Sequence, residues 1–217
     1  SGGGDAISNR DGQLGALIAE HLHKFIFVGG DPAQPAGPFR DSLALLESGV
    51  LERHSIRHAG IVAYPEGHPK IEAAELWRCL KWKTAFLEAA GCTVEITTQF
   101  GFHTDAVIEW LSRLRAAGIE APVRIGVPGP TDVGKLLRYA RQFGVVTSAR
   151  IARRYGLALT SLLRDSVADR YWQDLSEGLA GRDLGEVRYH LYSFGGIAEG
   201  VRWMNDRLQL GSRELDA

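Results

Sequence analysis

The feature that most constrains what this chain can fold into is a hydrophobic period that keeps switching between strand-like runs and helix-like faces. The runs KFIFVGG (24–30), GIVAYP (60–65), VEITTQF (94–100), PVRIGVPG (122–129) and RYHLYSF (188–194) are short, β-branched or aromatic, and closed by Gly, Pro or polar residues. Each is followed by an amphipathic stretch, expected as helix over 39–48, 71–90, 104–117, 132–143 and 197–208, with a further helical stretch over 157–179. Strand and helix repeating with no hairpin signal between them means a parallel sheet covered by helices. No linker or composition shift divides the chain, so residues 13–217 are expected as one β/α domain behind a flexible N-terminal segment, 1–12.

Two architectures satisfy that pattern. An open doubly wound sheet calls for a Gly-rich phosphate loop after the first strand. The segment VGGDPAQPAGPF (28–39) is rich in Gly and Pro but has no GxGxxG, and Pro32 and Pro35 would break a helix starting there. The other architecture is a TIM (β/α)8 barrel, which takes about 250 residues. This chain then supplies about five C-terminal βα units, and the first strands lie outside the sequence.

The strand ends favour the barrel, whose ligand groups sit on the loops that follow the strands. Those positions carry Asp31 after the first strand, Tyr64, Glu66 and His68 after the second, Gln99 after the third and the segment from Pro128 to Thr131 after the fourth. Each has an ordinary structural reading: Asp31 capping a turn, His68 closing the PEGHP loop on itself, Gln99 satisfying stray backbone groups. Gathered on one face, they read better as a site.

Composition narrows the partners. With 25 basic against 26 acidic residues, and only a modest basic run around Arg138, Arg141, Arg150, Arg153 and Arg154, neither nucleic acid nor an anionic membrane is expected. Cys79 and Cys92 lack CxxC spacing and read as small buried thiols, and no His, Cys or carboxylate set has metal-ligand spacing. No apolar run approaches the roughly 18 residues of a membrane helix, and a cytoplasmic location is expected.

The motifs GGD (29–31), AYPEGHP (63–69), LKWK (80–83), ITTQFGF (96–102) and GVPGP (126–130) occur in an order and spacing that resembles the methylenetetrahydrofolate reductases, from about residue 8 to residue 208. YPEGHP followed by a strand ending TQF is the specific part. The resemblance implies a flavin-bearing β8α8 barrel that reduces 5,10-methylenetetrahydrofolate to 5-methyltetrahydrofolate with NADH or NADPH as hydride source. It implies FAD rather than FMN. An incomplete barrel would expose sheet edges and apolar helix faces, so association into a homo-oligomer is expected.

By position, the resemblance assigns Asp31 as the catalytic carboxylate near the flavin ring and the folate, able to hold charge on a substrate opening to an iminium. Gly29 and Gly30 would let the backbone approach the flavin, although the family more often has Arg at the position of Gly29. Tyr64 and His68 match flavin contacts, and Ser42 is placed against the flavin. Lys83 matches a lysine that meets the flavin phosphates, with Lys81 as its alternative on the same helix. Gln99 matches the glutamine that reads the pterin, because an amide presents an acceptor and a donor side by side. Thr97 and Thr98 are left to strand propensity and packing.

The pattern also has departures. The family's first three strands have no counterpart here, and with them goes the glutamate that acts as the acid in reduction. In place of an LNR-like ending on the last strand stand Phe194, Gly195 and Gly196, and Ala140 falls at a position where the family stacks an aromatic, with Tyr139 and Phe143 nearby. The alternative reading is therefore a catalytically incomplete flavin- or folate-binding subunit that needs a partner chain.

Overall fold

The computed structural model describes residues 24–29, 37–142 and 167–215. Strand β1 (Lys24–Phe27) leads to α1 (Ser42–Glu47) and α2 (Val50–Arg53), followed by β2 (His58–Ala63), α3 (Ala73–Ala89), β3 (Thr93–Phe100) and α4 (Thr104–Ala116). The chain continues through β4 (Val123–Pro128), α5 (Val133–Gln142), α6 (Val167–Leu179), β5 (Val187–Tyr192) and α7 (Ile197–Leu215).

All five predicted strands form, in one sheet of order β1-β2-β3-β4-β5. β1 and β2 pair in parallel with Lys24 opposite His58, and β4 and β5 pair in parallel with Val123 opposite Val187 and Pro128 opposite Tyr192. A sequential order means that every crossover moves the same way along the sheet, as in a barrel wall. A doubly wound sheet reverses its order at a switch point. The strand order thus argues against the doubly wound alternative.

One expected helix is divided. The stretch 39–48 starts late because Asp41 caps α1, its Oδ1 accepting the Ala44 N–H at 2.8 Å. It then breaks at Gly49, whose φ of 78° no helix tolerates, and α2 begins immediately after. Helices α3, α4 and α5 agree with the periodicity within a few residues, α6 is described from Val167 with residues 157–166 of its expected stretch outside the described residues, and α7 runs on to Leu215.

The described chain falls into two compact units, one holding the described residues as far as Ala63 with Ala74–Thr97, the other Tyr64–Ala73 and the described residues from Thr98 on. In the first, α3 buries Leu80, Thr84 and Leu87, one stripe of a helix, and the strands bury Phe27, Ile61 and Ile96. In the second, α4 buries Val107, Trp110, Leu111 and Leu114 at helical spacing. There β4 is buried almost throughout, as a strand covered on both faces must be. Phe100, Phe102, Leu136 and Val167 form a core cluster of this unit, with Tyr139, Tyr192 and Phe194 packed against it.

Candidate functional site

In the second unit, the end of β3 and the loop after β2 line one small depression. Gln99 is half-buried there and shares the lining with Tyr64, Glu66, Phe100 and Gly101. The YPEGHP loop is shaped by its own bonds. Gly67 N–H returns to the Tyr64 carbonyl at 3.0 Å, and the Lys70 N–H donates to His68 Nδ1 at 3.2 Å, which makes Nε2 the donor nitrogen of that ring. The rings of Tyr64 and His68 meet edge to face with centroids 5.1 Å apart.

Glu66 ties this loop to the next one. Its Oε1 accepts the backbone N–H of Phe102 at 2.5 Å and of His103 at 2.8 Å, two donors just ahead of α4. Gly101 has no space for a side chain, because a Cβ there would collide with that same carboxylate oxygen. The other oxygen, Oε2, is buried with no hydrogen-bond partner among the described residues. The carboxylate occupies the place of a helix cap, from a residue far away in sequence.

Thr98 is packed in a strand, as read from the sequence, and its polar groups do more than that. It is completely buried, and its hydroxyl donates to the Gln99 carbonyl at 3.0 Å while accepting the Gly126 N–H at 2.8 Å. Its own carbonyl accepts the hydroxyl of Tyr192, from β5, at 3.1 Å. Burial, with Tyr64 nearby, pushes the Tyr192 phenol up to about 12, so it remains a donor across the ordinary pH range. Thr97 is buried as expected, and its hydroxyl has no hydrogen-bond partner among the described residues.

Beside this region, Phe194 stacks on Tyr139 with centroids 4.6 Å apart and meets Phe100 edge-on at 4.8 Å. The two glycines after Phe194 are constrained differently: a Cβ on Gly195 would collide with the Pro130 carbonyl, whereas Gly196 has open space but a φ of 119°, which favours glycine. Tyr139, next to Ala140 in sequence, is thus an aromatic packed on Phe194. Phe143 lies outside the described residues.

The first unit gathers Gly29, Ser42 and Lys83. Lys83 Nζ donates to Ser42 Oγ at 2.7 Å, Ser42 is buried, and Gly29 lies beside the start of α1 with the Ser42 amide 3.9 Å from where a Cβ would stand. Burial lowers the Lys83 pKa, only partly opposed by Cys79 and Asp41. Lys81, its alternative, is exposed. The ammonium is thus half-buried and donates to a neutral hydroxyl, with the Asp41 carboxylate near enough to oppose the effect of burial.

Gly30 and Asp31 lie outside the described residues. Sequence reasoning missed the capping role of Glu66 and the linkage through Thr98 and Tyr192. Glu66 was visible as a strand-end carboxylate, but nothing in the one-dimensional pattern pairs it with residues 102 and 103. Cys92 is buried as expected, whereas Cys79 is half-buried, and both are free thiols. Among the described residues no helix is long and apolar enough to cross a membrane.

Comparison with known proteins gives two informative matches. The chain is 32% identical over 151 residues to "Methylenetetrahydrofolate reductase 2" of Saccharomyces cerevisiae, a match covering 65% of this chain and 24% of that protein. It thus spans about a quarter of the curated relative's length. Among solved structures, an uncharacterized protein from Clostridium thermocellum that binds two copies of 5-methyl-5,6,7,8-tetrahydrofolic acid matches with a TM-score of 0.50 and 14% identity. That match covers 87% of this chain and 64% of the other, and it bears on the fold alone. No protein-family model matches the chain. The similarity to a methylenetetrahydrofolate reductase is therefore found by alignment as well as by motif.

Proposed function

We propose that this chain supplies about five C-terminal βα units of the (β/α)8 barrel of a flavoprotein that reduces 5,10-methylenetetrahydrofolate to 5-methyltetrahydrofolate with NADH or NADPH. The observation that carries the reading is the end of β3. In a chain 32% identical to a methylenetetrahydrofolate reductase, Gln99 lines a depression with the YPEGHP loop. The sequential parallel sheet supports the barrel, and its closure belongs to this proposal.

Each unit by itself carries residues that suit part of a flavin with phosphates, FAD by resemblance. Lys83 supplies a cation whose charged form burial disfavours and a phosphate would restore, and Ser42 fixes its direction. Tyr64 and His68 supply an aromatic face and a ring donor at Nε2. A bound flavin would supply hydride transfer between the reduced nicotinamide and the one-carbon unit. The protein's part is orientation and charge. Gln99 offers an acceptor and a donor to the pterin edge, and Asp31 is assigned the charge that develops as the substrate opens to an iminium.

The test is direct binding of 5-methyltetrahydrofolate to the wild type and to Gln99→Leu. Loss of the paired amide should weaken binding about 5- to 150-fold while flavin content holds. If Gln99→Leu sheds flavin or unfolds, with unchanged folate affinity in what remains folded, Gln99 is a structural residue and the reading fails.

A further inference from the structure

We propose that Thr98 and Tyr192 are positioning residues for Gln99, setting the direction in which its side chain leaves the end of β3. The inference rests on the reading of Gln99 as the pterin-binding residue. It adds what holds that residue in place.

A side chain's direction is set by its Cα–Cβ bond, which is fixed once the peptide planes on both sides of the Cα are fixed. At Gln99 both planes are held by hydroxyl groups. The preceding peptide is held through the Thr98 carbonyl, which accepts from Tyr192 Oη at 3.1 Å. The following peptide is held through the Gln99 carbonyl, which accepts from Thr98 Oγ1 at 3.0 Å. The same Thr98 oxygen takes the Gly126 N–H at 2.8 Å, so a side chain stands where a strand ladder ordinarily uses a carbonyl.

The neighbours leave this arrangement little freedom. A Cβ at Gly126 would lie 2.6 Å from the Phe100 nitrogen and 2.7 Å from the Gln99 carbonyl carbon and oxygen, so β4 approaches the peptide following Gln99 at the limit of contact. The Tyr192 ring is flanked by Phe100 at 5.2 Å and Phe194 at 6.0 Å, which restricts the phenol that reaches back to Thr98. The residue that meets the ligand and the residues that aim it lie on two strands, β3 and β5, with β4 packed against the peptide between them. Such support lowers the ordering cost of binding, because the amide is directed before the ligand arrives.

The experiment is a double-mutant cycle on the full chain, read by the dissociation constant of 5-methyltetrahydrofolate, with flavin content and thermal unfolding followed in parallel. Tyr192→Phe removes one hydroxyl and should weaken binding about 3- to 10-fold in the native background. In the Gln99→Leu background it should change affinity less than about 2-fold, since residues acting through one another are not additive. Flavin content should be unchanged by Tyr192→Phe. Thr98→Ser keeps the hydroxyl and should retain affinity, whereas Thr98→Val should lose it, and this pair decides the matter if Tyr192→Phe fails to fold. An equal loss in both backgrounds, no loss in the native one, or equal affinities for Thr98→Ser and Thr98→Val would overturn the proposal. If Gln99→Leu itself leaves binding intact, the assignment of Gln99 falls, and the positioning role falls with it.

Discussion

The carboxylate of Glu66 accepts the backbone N–H of His103 at 2.8 Å, so a residue after β2 caps the helix that follows β3. Phe102 donates to the same oxygen, and removing the side chain would leave two amides without their acceptor. Glu66→Ala should therefore cost about 2 to 4 kcal/mol of stability, read by urea unfolding with an unchanged m-value. Glu66→Gln keeps an acceptor but places an amide nitrogen where Oε2 is buried without a partner among the described residues, and its cost should fall between Ala and wild type. A Glu66→Ala protein as stable as the wild type would show that water replaces the carboxylate freely.

Gly126 is the position where β4 can carry no side chain. Its Cβ would meet main-chain atoms of Gln99 and Phe100 at 2.6 to 2.7 Å, and backbone, unlike a side-chain tip, cannot turn aside. Gly126→Ala should destabilise the protein by about 2 kcal/mol or more through overpacking. It should also weaken 5-methyltetrahydrofolate binding in whatever remains folded, because the peptide that moves is the one following Gln99.

The frame around these contacts was legible in the chain. The runs ending at Phe100 and Pro128 are strands because their apolar residues are continuous and then stop. Val107, Trp110, Leu111 and Leu114 mark α4 by spacing alone. What was not legible depends on register. Thr98 looks like any β-branched strand residue until Gly126 is set beside it, and Tyr192 is 94 residues away in sequence from the carbonyl it holds. Glu66 and Phe102 meet across 36 residues, through loops whose course no local period encodes. The split between α1 and α2 was readable in principle from Gly49, but its positive φ is a consequence of the fold around it.

Lys83 gives a pH dependence with a definite sign. Burial lowers its pKa, so the unliganded protein loses this charge at a lower pH than an ordinary lysine near 10.4 does. A bound flavin phosphate favours the charged form and raises the pKa again, and binding then takes up a proton between the two values. Flavin affinity should fall as pH rises through the lowered pKa of the unliganded protein. Lys83→Arg, which does not titrate there, should flatten that fall. Flavin fluorescence titrations at a series of alkaline pH values check this. Parallel curves for the two proteins would remove Lys83 from the phosphate site.

Whether the proposed folate reductase works as one is tested most directly by its separate half-reactions. The protein that carries this chain together with the barrel's first strands is bleached anaerobically with NADH or NADPH and then offered 5,10-methylenetetrahydrofolate, with menadione as the control acceptor. The account predicts that the visible flavin band disappears with the nicotinamide and returns with methylenetetrahydrofolate. A band that returns with menadione but stays bleached with methylenetetrahydrofolate would contradict it.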